Sequence, residues 1–499
     1  MNLNMFKLKF VWLVFFLTVA PFFSYAQIIL TIEGALELAE ENYPSLKNSK
    51  LSFERTQLLL EAQRAGLKSQ FSMSVDPIGY SINRRFDERY SDWYTSNTLS
   101  SGGSFQVEQP ILFTDGTIRL TNRLNWQTVD TKIGDKTTSN ERFQNSLSLR
   151  YNQPLFTYNR RKMELERLEF DHENSGISYA LQRLNMESRI TSQFFQVYMA
   201  QNNFAISREE FENAKTNFEI IKDKVNLDIS PREELYQAQL NLASSESSFE
   251  SSAVSLENAK DGFKQTLGIS LSEDINVVAN IVVNPMIVDP VKAIETALSS
   301  RMELRQREIS LELAEMSLIT TKAQNEFRGD LSVSLGITGD DPNFGNIYGD
   351  NNTIFTPSIM VSFNVPIFDW GQKKARIKAQ ETSIKMSELD FENSKIDIEL
   401  NIRQTIRSLN NLRLQIGIAE QNVENAQRTY ELNQIRYREG ELTGLQMSQY
   451  QVQLSNARTS YVRAQINYKT ELLSLKILTL YDFENEKAIV PVRELKNKN

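Results

Sequence analysis

The side chains that most often carry out catalysis or bind metals are scarce in this sequence of 499 residues. Histidine occurs once, at His172, and cysteine is absent. Such a composition leaves no two-histidine zinc site, thiolate nucleophile or disulfide, and it argues against triad hydrolysis. Because adjacent helical residues face different directions, Asp171, His172 and Glu173 predict a solvated position for the histidine instead of a metal site.

Carboxylate pairs are the other candidate catalytic groups. Glu164 and Glu166 have a spacing that is common on helix faces, and it singles out neither as a general acid or base. The sequence contains no phosphate-binding glycine loop and no GxSxG or HExxH motif. We therefore predict that the protein is not an enzyme and binds no cofactor or metal.

The charge balance bears on possible partners. Lysine and arginine total 55 against 63 acidic residues, which gives a net charge of −8. An acidic chain repels phosphate, and no long basic run interleaved with aromatic residues is present. The sequence therefore predicts no nucleic-acid partner.

The first 26 residues are typical of a secretory signal peptide. Lys7 and Lys9 precede an apolar stretch over residues 10–23, and small residues precede a cleavage site after Ala26. An uncleaved membrane anchor is the alternative, but this stretch contains Pro21 and is short for a hydrocarbon core of about 30 Å. We predict export of the mature chain.

The chain also resembles itself. The sequence NQPLF at residues 152–156 recurs as NVPIF at 364–368, an offset of 212, and a proline-free stretch follows each copy. Apolar residues seven apart predict a coiled-coil seam in each long helix. The two seams are Ile190, Val197, Phe204, Phe211, Phe218 and Val225, and then Ile402, Leu409, Ile416, Val423, Tyr430 and Tyr437. A helix over residues 160–227 would be about 100 Å long.

Two changes of offset refine the boundaries. Residues 236–243 resemble 450–457 at an offset of 214, which predicts a small length change at the helical tip. Upstream, residues 35–46 match 293–304 at an offset of 258, which predicts an insertion in the first copy, at about 77–142. We predict a signal peptide at 1–26, a first repeat at 27–285 and a second repeat at 286–499.

Alternating apolar and polar residues between the helices predict half-buried strands. Residues 331–338 and 358–365 show this pattern in the second repeat, and residues 71–75 and 147–151 show it in the first. The insertion contains two further candidate strands, at about 105–109 and 118–128. The sequence leaves open whether these join a barrel wall or form an outer hairpin.

The number of strands predicts self-association. No single repeat supplies enough strands to close a barrel, so several chains must combine if the strands enclose a lumen. An exported structural or adhesive coiled coil without a channel is the main alternative. A periplasmic adaptor is a second one, but it would normally add compact β domains that the sequence lacks.

The duplicated helix–strand–strand–helix plan, the motifs around Pro154 and Pro366, and the sequence RYREG at 436–440 followed by QVQL at 451–454 carry a family resemblance. With these features the chain resembles the TolC-like outer-membrane factor family. The resemblance implies a mainly α fold with membrane β-strands, in which a homotrimer forms an α-helical barrel topped by a shared transmembrane β-barrel.

The resemblance also implies location and partners. Such proteins lie in the bacterial outer membrane with their helices in the periplasm, and they serve tripartite efflux pumps or type I secretion systems as passive exit ducts. A periplasmic adaptor and an inner-membrane transporter would be the partners, and outer-membrane lipid would surround the strands. The cargo stays open among drugs, metal ions and proteins.

The family assigns docking and gating to the two helical tips, here residues 227–234 and 439–446, although solvated turns are the plainer alternative. The candidate tip residues are Asp228, Pro231, Arg436, Arg438, Gly440 and Glu441. Gln446 and Gln449 occupy the positions where some members carry a ring of aspartates, which makes them a possible pore constriction. Amides can hydrogen-bond in a ring but supply no charge, so acidic gating is not expected at these positions.

Overall fold

The computed structural model describes residues 28–89, 91–133, 136–349 and 352–489. The predicted signal peptide at 1–26 lies outside the described residues. No described helix is both long enough and apolar enough to cross a membrane.

The helices repeat in the two halves of the chain with nearly identical lengths. In order, they have 11, 23, 67 and 36 residues in the first half and 11, 22, 67 and 36 in the second. They are α1 (Ile32–Asn42), α2 (Pro44–Gly66), α3 (Arg160–Asn226), α4 (Arg232–Leu267), α5 (Pro290–Ser300), α6 (Met302–Ala323), α7 (Gln372–Arg438) and α8 (Gly444–Thr479). The predicted long helices are confirmed, each about 100 Å at 1.5 Å per residue.

The predicted length change at the tip is wrong. The returning helices α4 and α8 begin at Arg232 and Gly444 and end at Leu267 and Thr479, and both pairs of positions are 212 apart. The match at an offset of 214 therefore pairs positions two residues out of step. It reflects the similar glutamine, leucine and alanine content of the two helices.

Local residues explain where the shorter helices begin. Thr31 caps α1 by accepting the Gly34 N–H at 3.2 Å, and Asp289 caps α5 by accepting the Val291 N–H at 2.9 Å. Pro290 then occupies the first turn of α5, where its fixed φ suits the helix and its missing N–H costs nothing.

The predicted seams are buried where the long helices pack beside other helices. Ile190, Val197 and Ile402 are fully buried, and Leu409 and Ile416 are nearly so. Farther along α3, the rings of Phe204 and Phe211 both stack on Phe249 of α4, with centroids 5.3 and 5.6 Å apart. Burial at seven-residue intervals confirms the period that the sequence predicted.

Six strands form one antiparallel sheet in the order β2-β3-β4-β5-β7-β8. They are β2 (Gln70–Asp87), β3 (Asp92–Pro110), β4 (Thr117–Ile133), β5 (Lys136–Leu155), β7 (Arg328–Asp341) and β8 (Thr353–Asn364). The two inserted strands, β3 and β4, lie inside this sheet between β2 and β5. The structure thereby decides that they pair with the strands predicted from the alternating patterns.

The remaining short strands form two pairs of their own. The first, β1 (Ile28–Leu30), pairs in parallel with β6 (Ile275–Val277), and β9 (Tyr481–Asp482) pairs with β10 (Lys487–Ala488). Leu30, Ile275 and Val277 are buried in an apolar core with Phe194 and Phe263.

The chain divides into two compact units. The described residues of the first unit fall within 1–49, 179–301 and 397–499, and it contains both helical tips. The second unit covers 50–178 and 302–396 and contains the six-stranded sheet. Each unit takes segments from both repeats, so the duplication in sequence is not a division into two separate domains.

Candidate functional site

The first helical tip joins α3 to α4 through residues 227–231. Asp228 has a left-handed φ of 56°, and the Ile229 N–H then reaches back to the Lys224 carbonyl at 2.8 Å. This six-to-one bond ends the helix in the manner of a Schellman motif. The turn leaves Leu227 and Ile229 exposed by 70% and 68%, which gives the tip an apolar surface.

The second tip, between α7 and α8, uses the same helix ending. Gly440 has a φ of 82°, and the Glu441 N–H bonds to the Arg436 carbonyl at 3.0 Å. Gly440 lies 212 residues after Asp228, so the two left-handed positions are equivalent in the repeat. Glycine adopts this conformation without strain, whereas aspartate tolerates it through its short polar side chain.

One ion pair closes the second tip. The Arg436 Nε donates to Glu441 Oε2 at 3.0 Å, and both side chains are about half exposed, at 53% and 54%. An exposed pair of this kind contributes roughly 0 to 1 kcal/mol to folding. Its charges are therefore available to a partner without being essential to the fold.

The two hairpins contact each other just behind the tips. The Tyr437 hydroxyl on α7 donates to Asn217 Oδ1 on α3, and Lys224 Nζ lies 5.9 Å from the centre of the Tyr437 ring. A Cβ at Gly444 would lie 2.9 Å from Asn217 Nδ2, so α8 starts in close contact with α3. Burial raises the pKa of Tyr437, with a smaller contribution from the charge of Glu234.

The remaining predicted tip residues lie at the surface of the two tips. Asp228, Pro231 and Arg438 are exposed, and Pro231 is the residue that precedes α4. The sequence analysis did not single out Asn217, and it identified Tyr437 as a seam position and as part of the RYREG motif, without a partner. Their hydrogen bond joins residues 220 apart, and no local pattern signals it.

The two glutamines differ in their surroundings. Gln446 forms a capping box with Thr443: its Oε1 accepts the Thr443 N–H at 3.0 Å, and the Gln446 N–H donates to the Thr443 hydroxyl at 3.4 Å. Gln449 is exposed and makes no such contact with the cap. Of the two amides, that of Gln449 is the freer to contact other groups.

A cavity of about 1060 Å³ with both polar and apolar walls lies between the long helices of the first unit. Serine side chains of α4 line it together with Asn467 and Glu471 of α8. Burial raises the pKa of Glu471, and hydrogen bonds from Ser408 and Thr405 oppose that shift. Among the described residues, no group of three or more histidine, aspartate or glutamate side chains could hold a metal ion.

The prediction that His172 is a solvated residue is wrong. Its ring stacks on Phe53 with centroids 4.8 Å apart, and its Nδ1 lies 3.5 Å from the Thr56 hydroxyl. Burial lowers the pKa of His172 below 6.5, and the charge of Arg64 adds to the effect. The sequence showed the helix around His172, but not the neighbouring helix α2 that packs on it.

We expect the His172 midpoint to lie below 6.5 in the folded protein. Because the folded state favours the neutral ring, its contribution to stability is present above pH 6.5 and is lost as the pH falls through the folded pKa. The single histidine permits direct measurement by NMR of protein with labelled histidine and a tag that contains none. Phe53→Leu should raise the midpoint towards 6.5, and a wild-type midpoint at or above 6.5 would contradict this account.

Comparisons with known proteins identify the fold. Residues 293–479 match the model of the outer membrane efflux protein family. The chain is similar to the CmeC outer membrane channel of Campylobacter jejuni, with 16% identity, a TM-score of 0.69, and coverage of 93% of this chain and 88% of that one. No curated protein sequence matches the chain.

Two further solved structures share the fold. The outer membrane protein VceC of Vibrio cholerae is 13% identical with a TM-score of 0.63, covering 92% of this chain and 97% of that one. The open state of the MtrE channel of Neisseria gonorrhoeae is also 13% identical, with a TM-score of 0.62 and coverage of 92% and 90%. The predicted combination of long helices and a β-sheet is confirmed, and the family resemblance is confirmed over residues 293–479.

Proposed function

We propose that the protein is an outer-membrane exit duct. The premise is that its second repeat matches the outer membrane efflux protein family. The observation that carries this proposal is the joining of two pairs of 67- and 36-residue helices to a sheet with one apolar and one polar face. Lipid can cover the apolar face while water fills a lumen on the other. A soluble coiled coil requires no such sheet.

The duct works by passive conduction. Outer membrane efflux channels are trimeric and act with adaptor and inner-membrane pump partners. We propose the same assembly here, as a homotrimer serving a tripartite efflux pump or a type I secretion system. In this proposal the inner-membrane transporter supplies the energy, because a passive duct does not drive transport itself. The family is a family of channels.

The helical tips are the proposed docking and gating surface. Asp228, Pro231, Arg436, Arg438, Gly440 and Glu441 form it, and exposed Leu227 and Ile229 add an apolar patch that an adaptor can cover. Gln446 and Gln449 of three chains form the proposed constriction, in which the capping box holds Gln446 and leaves Gln449 freer to move. We also propose that residues 1–26 are a signal peptide and that residues 27–285 and 286–499 are the two structural repeats.

Opening of the tips is proposed to be a shift between two arrangements of the hairpins. In the described arrangement, the Tyr437–Asn217 hydrogen bond joins α7 to α3. An adaptor that binds a splayed arrangement more tightly would favour it by the difference in binding free energy. The adaptor thereby opens the tunnel without supplying chemical energy.

The test of the function is electron microscopy of protein extracted from outer membranes in mild detergent. We expect threefold particles with a central lumen and a helical tube of about 100 Å. Solid rods, or protein recovered without detergent, would favour the structural coiled coil instead. Sensitisation of the host to exported compounds on gene deletion, with recovery on complementation, would tie the particles to export.

A further inference from the structure

The hairpin formed by β3 and β4 is the part of the sheet that the duplicated plan leaves unexplained. The second repeat reaches its long helix through two strands, β7 and β8, whereas the first repeat uses four, β2 to β5. The inserted strands form long antiparallel ladders with their neighbours. The ladder between β4 and β5 runs without interruption from Thr117–Asn152 to Ile133–Lys136, and the ladder between β2 and β3 has one irregularity, between Asp76 and Gly79. The hairpin is therefore an integral part of the sheet.

The inserted strands share the two faces of the strands around them. Val107, Leu120, Leu149 and Leu335 lie side by side in one row across β3, β4, β5 and β7. The next row, on the opposite face, contains Gln106, Thr121, Ser148 and Gly336. In a membrane wall, the apolar side chains of each strand must continue the lipid-facing surface of the neighbouring strands. A hairpin surrounded by water is under no such constraint.

The turn between the inserted strands is attached at the start of α3. Asp115 is 4% exposed and accepts hydrogen bonds from Arg160 Nε at 2.9 Å and Arg161 Nη1 at 3.1 Å. Asn159 Nδ2 donates to the Leu112 carbonyl at 2.5 Å. These contacts place the turn at the end of the sheet where β5 meets its helix. The hairpin consequently runs the full height of the sheet.

The two edges of the sheet are compatible with closure by further copies. Within the described residues, β2 and β8 each have a strand on one side only. The first, β2, follows α2 and runs away from the helices, whereas β8 runs towards α7. Opposite directions allow β8 of one copy to pair in antiparallel fashion with β2 of the next, which would satisfy the exposed backbone groups of both edges.

We propose that all six strands lie in the membrane wall, so that three copies close a barrel of 18 strands. This inference rests on the proposed duct function. The alternative is 12 strands with three hairpins outside. With strands about 4.8 Å apart and tilted by about 40°, 18 strands give a backbone radius of about 18 Å, and 12 give about 12 Å.

The strand number changes which cargo fits. A side-chain layer of about 5 Å leaves an opening roughly 26 Å across for 18 strands and roughly 14 Å for 12. A single helix of about 12 Å passes either opening, but two packed helices of about 20 Å pass only the wider one. The wall thereby admits polypeptide cargo with some structure as well as drug-sized solutes.

Cysteine accessibility tests the position of the hairpin, because the chain contains no cysteine of its own. The variants Leu120→Cys and Thr121→Cys probe the two faces of β4, and Leu335→Cys and Ser334→Cys are the matched pair on β7. Purified trimers in lipid nanodiscs are treated with a water-soluble maleimide. We expect Thr121→Cys to react like Ser334→Cys, and Leu120→Cys to react at least about tenfold more slowly, as Leu335→Cys does, since lipid excludes water and disfavours the thiolate.

Fast labelling of Leu120→Cys while the β7 pair still differs would place the hairpin in water and overturn the strand count alone. Equal labelling of Leu335→Cys and Ser334→Cys would show that β7 is not in a membrane, which would overturn the proposed function. Gln106→Cys and Val107→Cys replace the β4 pair if either variant fails to form trimers. Cryo-electron microscopy of wild-type trimers then counts the wall directly, with 18 strands expected and 12 contradicting the proposal.

Discussion

Replacing Arg436 by glutamate is expected to lower export about tenfold or more, equivalent to a loss of about 1.4 kcal/mol in adaptor docking, while leaving the trimer intact. The substitution puts two acidic groups where Arg436 and Glu441 now form an exposed ion pair at 3.0 Å. Such pairs contribute little to folding, so a loss of export would report on docking or gating. Arg438→Glu, two residues farther along the same last turn of α7, should act in the same direction.

The measurement is the susceptibility of host cells to compounds that the gene deletion sensitises, with the amount of outer-membrane trimer measured in parallel. Arg428→Glu is the matched control: Arg428 pairs with Glu424 on the same helix, with side chains 70% and 60% exposed, but it lies away from the tip. We expect normal export from this control. Normal export from Arg436→Glu and Arg438→Glu would remove both arginines from the docking surface.

A charge swap separates docking from the conformation of the tip. The double variant Arg436→Glu with Glu441→Arg keeps an ion pair within the tip but reverses the charges presented to a partner. If the adaptor binds through these charges, export by the double variant stays impaired. Full recovery would instead show that the pair acts by holding the turn in place.

Asp115→Ala is expected to cost about 2 to 3 kcal/mol of stability, because it leaves the guanidinium groups of Arg160 and Arg161 without their carboxylate. The expected loss of stability is smaller than for breaking a fully buried ion pair, because the Arg160 side chain is 62% exposed. Asp115 also has a left-handed φ of 61°, which alanine adopts with strain. The turn between β3 and β4 should therefore detach from the start of α3.

Asp115→Asn is the informative companion variant. Asparagine tolerates the left-handed conformation and can still accept hydrogen bonds, so its expected cost is about 1 kcal/mol. The measurement is the apparent unfolding midpoint at one scan rate, with Arg64→Ala as control, since Arg64 and Glu169 form an exposed pair. A loss with Arg64→Ala as large as that with Asp115→Ala would show that the anchoring contacts have no special role.

Much of the helical architecture is determined by local sequence. The seven-residue spacing of Ile190 and Val197, repeated 212 residues later at Ile402 and Leu409, predicts buried seams, and all four residues are buried. The matching pairs Ala35 and Ala293, and Ala39 and Ala297, are likewise fully buried. Helical period and duplication are visible in sequence because each helix bonds within its own segment and needs only a consistent apolar side.

The strand partners and the surroundings of single residues were decided by the tertiary structure. The alternating pattern predicted strands but not their partners, because a strand with one apolar face can pair with any similar edge. The position of β3 and β4 inside the sheet could be established only from the full set of strand pairs. The stacking of His172 on Phe53 and the bond between Tyr437 and Asn217 join positions over 100 residues apart. Local periodicity determines which face of an element is buried, whereas the identity of the neighbour depends on how the chain brings distant segments together.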